Sequence, residues 1–447
     1  MYNRKSNRAL WFFLGIILSN GIVAQSSSFS FNLMEAQQYA IEHSYISLSA
    51  DKDVEISEKK VSETISTGLP QINAVGNYQK YIQTPLQLIP AEFTGGAEGD
   101  FVEVFFGTEQ QVSAGLRVDQ LLFSGSYFVG LQAAKTYLQL SKNDKKKSDI
   151  EVKNMVTTAY GNVLVAMKNI EILNGNVKNL ERSVFEAEEL YKNGFIEEQD
   201  KDQLTLTLAN VKNNYEQAAR SAEVVKNQLK FILGIEITST VMLTDDLKTV
   251  TTLSSSKEYL NTDFNANTHI DYQIVSTQEK ATELLLKQQK SPVLPSLSGF
   301  YTAQTASFSD EFDFFDRRYY SSHLVGLNLN IPIFSGFGRT TRIQQAKLNL
   351  EKASLAKKQV EQQLQINAQN SKSAYTFALS QYNTTENNLA LAERIYKKTK
   401  IKYEEGISSS LELTQANNQL LETQSKHIQA AFELIQAKSN LDKAFNQ

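Results

Sequence analysis

Four short segments of this chain alternate apolar and polar residues at period two. In the first, Ile72, Ala74, Gly76 and Tyr78 interleave with Gln71, Asn73, Val75 and Asn77. In the second, Val112, Ala114, Leu116 and Val118 interleave with Ser113, Gly115, Arg117 and Asp119. The third sets Leu297, Gly299, Tyr301 and Ala303 against Ser296, Ser298, Phe300 and Thr302. The fourth sets Val325, Leu327, Leu329, Ile331 and Ile333 against Leu324, Gly326, Asn328 and Asn330. Such alternation predicts strands with one apolar and one polar face. A soluble sandwich would bury the apolar face on a second sheet, but these strands are separated by long helical stretches that supply none.

All six prolines fall in three places: Pro70, Pro85 and Pro90; Pro292 and Pro295; and Pro332. Proline inside a helix costs about 3 kcal/mol, so proline-free stretches rich in Ala, Leu, Gln, Glu, Lys and Asn read as long helices. After Gly338 the only glycine is Gly406. The run between them predicts a helix of about 100 Å at 1.5 Å per residue. The run from Ser126 to Gly194 matches it in length, softened by Gly130, Gly161 and Gly175. Spacings such as Ile343, Ala346, Leu350 and Ala353 give a thin, Ala-rich coiled-coil seam, with polar residues on the remaining faces. That pattern suits a wall wetted on both sides. After Gly194 and Gly406 the chain returns through residues 199–233 and 410–446, making two helical hairpins.

The landmarks recur. Leu122-Phe123-Ser124-Gly125 returns as Ile333-Phe334-Ser335-Gly336, and Gly115 as Gly326, at an offset of 211 residues. Tyr191-Lys192-Asn193-Gly194-Phe195 returns as Tyr403-Glu404-Glu405-Gly406-Ile407 at 212, and Leu69-Pro70 as Leu294-Pro295 at 225. One register, slipping by one residue over some seventy, is a tandem duplication, and the jump of 14 upstream is a longer loop in the first copy. Residues 25–233 are the first repeat, 234–267 a Thr- and Ser-rich dividing region read as irregular, and 268–447 the second repeat. Residues 26–32 precede the repeated unit and are expected to be dispensable for assembly.

Arg4, Lys5 and Arg8 precede an apolar run from Ala9 to Leu18 and small residues ending at Ala24, the layout of a cleavable export signal over residues 1–24. The apolar run is too short for a membrane span of about 20 residues. Removing residues 1–24 takes away three positive charges and no negative ones, so the formal charge goes from −4 to −7. An exported, mildly acidic chain is a poor nucleic-acid binder. With no cysteine, disulfides, thiolate metal sites and a lipidated N-terminal cysteine are excluded. Attachment to a membrane must come from the fold. Unpaired backbone groups cost several kcal/mol in hydrocarbon, so a four-strand sheet can enter lipid only by joining other copies. Eight, twelve or sixteen strands would need two, three or four protomers.

The duplicated plan, the strand-to-helix turn Asn330-Ile331-Pro332-Ile333-Phe334-Ser335-Gly336, the Leu69-Pro70 and Leu294-Pro295 turns, Leu33-Met34-Glu35-Ala36 with Ala40, and the Tyr-x-x-Gly tips together resemble the TolC family of outer-membrane efflux proteins. The resemblance covers nearly the whole mature chain. It implies a mainly helical fold in which long helical hairpins form an oligomeric α-barrel and four strands per chain join a transmembrane β-barrel. It further implies a homotrimer with twelve strands in outer-membrane lipid, and a constricted periplasmic end that docks a periplasmic adaptor and an inner-membrane transporter. The function implied is passive export through a tripartite efflux or secretion system. The alternative is a structural or adhesive trimeric coiled-coil fibre, which would not need two separated strand pairs.

At the tips, Asp200 and Glu412 each lie six residues after Gly194 and Gly406, where family members carry a carboxylate facing the constriction. A ring of like charge selects by sign; against this, Glu197, Glu198 and Asp202 make the same residues read as a solvated acidic face. The family's latching arginine is replaced by Ser408, with Ile196 in the first copy, and a further carboxylate by Gln415. Gating then falls to hydrogen bonds through Tyr191 and Tyr403, residues that equally could pack the turn. Asn193, Gly194, Phe195, Glu405, Gly406 and Ile407 resemble the motif to which adaptor hairpins dock, and a tight turn would also need their glycines.

Elsewhere the chemistry is sparse. The loop from Gln83 to Gln110 holds five carboxylates and no Lys or Arg, and that from Ala306 to Tyr320 holds four aromatic Phe and four carboxylates. A divalent-cation site there is weighed against plain solvation, since no fixed ligand spacing occurs. His43, His269, His323 and His427 show neither ligand nor triad spacing. No cofactor is expected, and an enzymatic reading finds no support.

Overall fold

The computed structural model describes residues 28–105, 107–255, 263–312, 316 and 318–445. The expected export signal, 1–24, lies outside the described residues. In chain order the elements are β1 (Ser28–Phe31), α1 (Leu33–His43), α2 (Tyr45–Ser66), β2 (Gln71–Lys80), β3 (Leu86–Pro90), β4 (Phe101–Phe105), β5 (Gln110–Ser124), α3 (Gly125–Lys192) and α4 (Glu198–Leu233). They continue with β6 (Thr240–Leu243), α5 (Leu247–Ser254), α6 (Ile270–Lys290), β7 (Ser296–Ser309), β8 (Tyr320–Asn330), α7 (Gly338–Glu404) and α8 (Ser410–Ala444).

The four alternating segments form one antiparallel sheet in the order β2-β5-β7-β8. The central pairing, β5 with β7, joins the two repeats, running from Gln110 opposite Ser309 to Ser124 opposite Ser296 with a bulge between Leu121 and Phe123. β2 and β8 are its free edges. Ile331 and Ile333, placed on the last strand by their alternation, lie beyond it, because Pro332 has no N–H to continue the ladder. The apolar face is bare: Ile72, Leu116, Val325, Leu327 and Leu329 are all exposed in the single chain. The loop after β2 adds the hairpin β3–β4, which alternation alone did not reveal.

α3 and α7 run 68 and 67 residues without a break, about 100 Å each at 1.5 Å per residue. Gly161 does not interrupt α3, and a Cβ there would be in ordinary contact with the Phe432 ring of α8 at 3.4 Å. The turns into the two helices differ. Ser124 caps α3 directly, its hydroxyl accepting from the Tyr127 N–H, whereas Gly336 and Phe337 both take left-handed backbone before α7. Each long helix folds back on a partner, α3 on α4 and α7 on α8, and the hairpins lie side by side through α3 and α8.

Two expectations change here. Region 234–267 contains β6 and α5 rather than irregular chain, and β6 pairs in parallel with β1, Ser28 opposite Thr240 through Phe31 opposite Leu243. Residues 28–32 are therefore structural: Phe31 is buried with Ala36, Ala40, Val152, Val156, Tyr160, Leu229 and Leu233. Tyr160 donates its hydroxyl to the Phe31 carbonyl at 3.1 Å and lies 3.1 Å from Asp245 Oδ2, which also accepts from the Leu33 N–H at 2.8 Å. This belt wraps the long helices midway between sheet and tips.

Candidate functional site

Both hairpins turn by the same local chemistry. After α3 the Gly194 N–H meets the Tyr191 carbonyl at 2.9 Å and the Phe195 N–H the Leu190 carbonyl at 2.9 Å. After α7 the Gly406 and Ile407 N–H groups meet the Tyr403 and Lys402 carbonyls at 3.0 and 2.8 Å. Gly194 at φ 76° and Gly406 at φ 72° occupy left-handed backbone, which side chains disfavour. The residue that follows each glycine normally packs back on its helix, yet Phe195 and Ile407 are 76% and 71% exposed. Asn193 caps its own helix end through Nδ2 to the Glu189 carbonyl at 2.7 Å, and Glu405 projects from the second tip in solvent.

The paired carboxylates are not equivalent. Asp200, half-buried in the first turn of α4, accepts a hydrogen bond from the hydroxyl of Ser410, a buried residue at the start of α8. That bond crosses from one repeat to the other. Glu412 is exposed and accepts from Ser408, four residues before it on its own hairpin. Its N–H is capped by Ser409 Oγ at 3.2 Å. The serine standing at the family's arginine position therefore ties the second carboxylate locally. The run Ser408-Ser409-Ser410 before Leu-Glu-Leu carried a helix N-terminus signal, Ser409-x-x-Glu412, that could have been read in advance.

The two tyrosines also part company. Tyr403 is buried with Ala187, Leu204 and Leu413, flanked by Val184, Ile196 and Tyr396. Its hydroxyl meets no hydrogen-bond partner among the described residues. Burial, reinforced by the nearby charges of Asp200 and Glu186, pushes its pKa up, so the phenol stays neutral. Tyr191 is exposed and carries Lys201 Nζ 4.8 Å above its ring. Lys201 also lies within 3.4 Å of Glu198 and 3.3 Å of Asp202. Neither Ser410 nor Lys201 was singled out from sequence. Gln415 is exposed and Ile196 half-buried.

The histidines sit apart, each with local partners. His43 stacks on Tyr39 at 4.1 Å, His269 caps α6 by accepting from the Asp271 N–H at 3.1 Å, His323 meets the Tyr301 hydroxyl at 3.0 Å, and His427 stacks on Tyr382 at 5.1 Å. Among the described residues no His, Asp and Glu side chains are grouped to hold a metal ion. No described helix is long and apolar enough to cross a membrane.

The family model for outer membrane efflux proteins matches residues 48–235 and 276–447, the two repeats without most of the belt region between them. The chain belongs to the outer membrane efflux protein family. As an outer membrane efflux protein it belongs to the outer membrane. Solved structures share the fold at low identity. The CmeC outer membrane channel of Campylobacter jejuni matches with a TM-score of 0.70 and 17% identity, over 93% of this chain and 85% of that one. VceC of Vibrio cholerae matches at 0.69 and 14%, over 93% and 96%. The open state of the MtrE channel of Neisseria gonorrhoeae matches at 0.67 and 16%, over 93% and 89%. No curated protein matches the sequence.

Proposed function

We propose that this efflux protein is the passive conduit of a tripartite export system, assembled as a homotrimer that spans the outer membrane as a twelve-stranded barrel and the periplasm as a helical tunnel. The observation that carries the reading is the open sheet β2-β5-β7-β8, with an exposed apolar face and two unpaired edges, continuous with helices of about 100 Å. Lipid tolerates no open edge, so β8 of one copy pairs with β2 of the next. The helices carry the matching requirement: Leu348, Leu355 and Phe377 on α7, Leu206 and Val224 on α4, and Ile46 and Ile56 on α2 are exposed in the single chain. A free coiled-coil fibre would leave the sheet without a purpose.

The partners follow from the two ends. Phe195 and Ile407, projecting from rigid left-handed turns with Asn193, Gly194, Glu405 and Gly406, offer six apolar points per trimer to hairpins of a periplasmic adaptor, which in turn engages an inner-membrane transporter. Asp200 and Glu412 form the acidic constriction, with Tyr191 and Tyr403 around it. The wall does its work by position and charge, without chemical turnover.

Purified protein reconstituted in planar bilayers tests the conduit: an oligomer resistant to detergent should give discrete conductance steps. A folded monomer in detergent, or an oligomer with no conductance, would overturn the reading. Phe195→Asp with Ile407→Asp should keep the pores and lose adaptor co-purification. Retained adaptor binding would move docking away from the tips.

A further inference from the structure

The strands of the sheet carry only three formal charges, Lys80, Arg117 and Asp119. Lys80 shares parity with Ile72 and Tyr78 and lies at the outer end of β2. Arg117 and Asp119, two residues apart on β5, point to the same polar face. Asn73 and Thr302 stand opposite Arg117 on the neighbouring strands, and Gln71 and Phe300 opposite Asp119. Gln71 is the first residue of its strand, so this pair marks the end of the sheet nearest the helices.

The arginine is held in a defined pose. Its Nε donates to both Asp119 oxygens, at 3.0 and 2.9 Å, and a terminal nitrogen lies 2.9 Å from Oδ1. Its Cζ sits 4.8 Å from the centroid of the Phe300 ring. Phe300 in turn lies across Gly326, its partner on β8, where any Cβ would come within 2.6 Å of the ring. Carboxylate at one edge, ring against one side and a glycine beneath the ring make a built arrangement on the polar wall. Exposed ion pairs contribute little to stability, and at 48% and 39% side-chain exposure this one is of that kind. Its effect must be sought in what passes it.

We infer that Arg117 is a selectivity-determining residue of the conduit: three Arg117–Asp119 pairs form a charge-balanced ring at the inner end of the barrel, which makes the barrel indifferent to the sign of a permeating ion. The inference rests on the conduit reading above. Twelve strands about 4.8 Å apart, tilted by roughly 40°, give a backbone radius of about 12 Å. Side chains reaching inward then sit within the ~10 Å Debye length of the axis at 0.1 M salt. An unbalanced ring of three charges would enrich one ion sign roughly fivefold there.

Reversal potentials in a salt gradient near 0.1 M test this on the full-length oligomer. Arg117→Gln leaves three unpaired carboxylates and should shift the pore toward cations; Asp119→Asn leaves three guanidinium groups and should shift it toward anions; the double variant should return to the wild-type value. The double variant, neutral at both positions, also shows whether folding tolerates losing the pair, and Arg117→Lys, which keeps the charge, should stay near wild type. Pores that form but keep the wild-type reversal potential in both single variants would overturn the inference. Absence of any wild-type conductance would instead overturn the conduit reading.

Discussion

Replacing Phe31 by Ala should loosen the belt that clamps the long helices, although Phe31 lies in a four-residue strand far from both membrane and tips. Its ring is buried in the cluster with Ala36, Ala40, Val156 and Leu233 and packs 5.0 Å from Tyr39 and 6.0 Å from Phe29. Truncating a buried Phe costs about 3–5 kcal/mol. The backbone bonds from the Tyr160 hydroxyl and the Thr244 N–H, at 3.1 and 3.0 Å, survive that substitution, so its cost is packing alone. Deleting residues 28–32 goes further. It removes the ladder to β6 and the Asn32 capping box, in which Asn32 and Glu35 each accept from the other's N–H at 2.8 and 2.9 Å. The cap adds about 1 kcal/mol. The total approaches the 5–15 kcal/mol that holds a typical domain together. Circular dichroism melts of the detergent-solubilised oligomer, run beside unheated gel electrophoresis, should show Phe31→Ala melting clearly below wild type and the deletion failing to assemble. Tyr160→Phe should cost less, about 1 kcal/mol, because only the hydroxyl's bonds are lost. A deletion that assembles normally would return β1 to the status of a dispensable leader and refute the belt.

At the tips, Asp200→Asn with Glu412→Gln should weaken cation preference and divalent block, most strongly at low ionic strength where fields are least screened; an unchanged preference would return both to a solvated acidic face. Tyr403→Ala should destabilise by about 3–5 kcal/mol and Tyr191→Ala by far less, read from melting of the two variants, since only the first ring is buried. Asn417, 1% exposed and without a hydrogen-bond partner for either amide atom among the described residues, should tolerate Leu with a gain of about 1–3 kcal/mol. A drop in melting temperature there would show that the amide is satisfied in the assembly. Burial lowers the pKa of His427 and of His269. The unfolded chain then binds protons that the native chain refuses, so stability is complete above the ordinary histidine value near 6.5 and falls as pH drops through it toward the lowered native values. His427→Gln and His269→Gln should each flatten that part of a melting-temperature profile between pH 8 and 5.5, and a profile as steep as wild type would place the loss in other groups.

What could be read from sequence was whatever depends on near neighbours. Strand faces, the two long helices and the tip glycines are local, and Gly194 and Gly406 have the positive φ that explains why glycine stands there. The belt was hidden because Ser28-Phe29-Ser30-Phe31 finds its strand partner at Thr240–Leu243, more than 200 residues away, and a parallel pair needs no turn to announce it. The bond between Ser410 and Asp200 was hidden for a related reason: it exists only because two hairpins lie side by side. The Phe300 pose depends on Gly326 across a strand boundary, so a glycine that looked like a repeat landmark turned out to make room for a ring.

Duplication copies a backbone more faithfully than an environment. The two tips share helix lengths, turn geometry and the carboxylate six residues on, yet α8 is enclosed by α7 and α3 within one chain, whereas the outer side of α4 waits for a neighbour. Tyr403, at the end of α7, is a core residue because it packs against Ala187 of α3, Leu204 of α4 and Leu413 of α8, whereas Tyr191, at the end of α3, stays on the surface. Enclosure of α8 explains why the second repeat carries uncharged Thr414 and Asn417, both buried, where the first has Asp202 and exposed Thr205. Charge has drained from the seam that one chain must close by itself and stayed on the surface that only assembly covers. Asp200 sits where these meet, bound through Ser410 to the enclosed helix while its neighbours Glu197, Glu198 and Asp202 remain in solvent. Of the two acidic positions it is therefore the one whose removal touches both the charge at the tips and the contact between repeats, whereas removing Glu412 touches, besides its charge, only the local bond from Ser408.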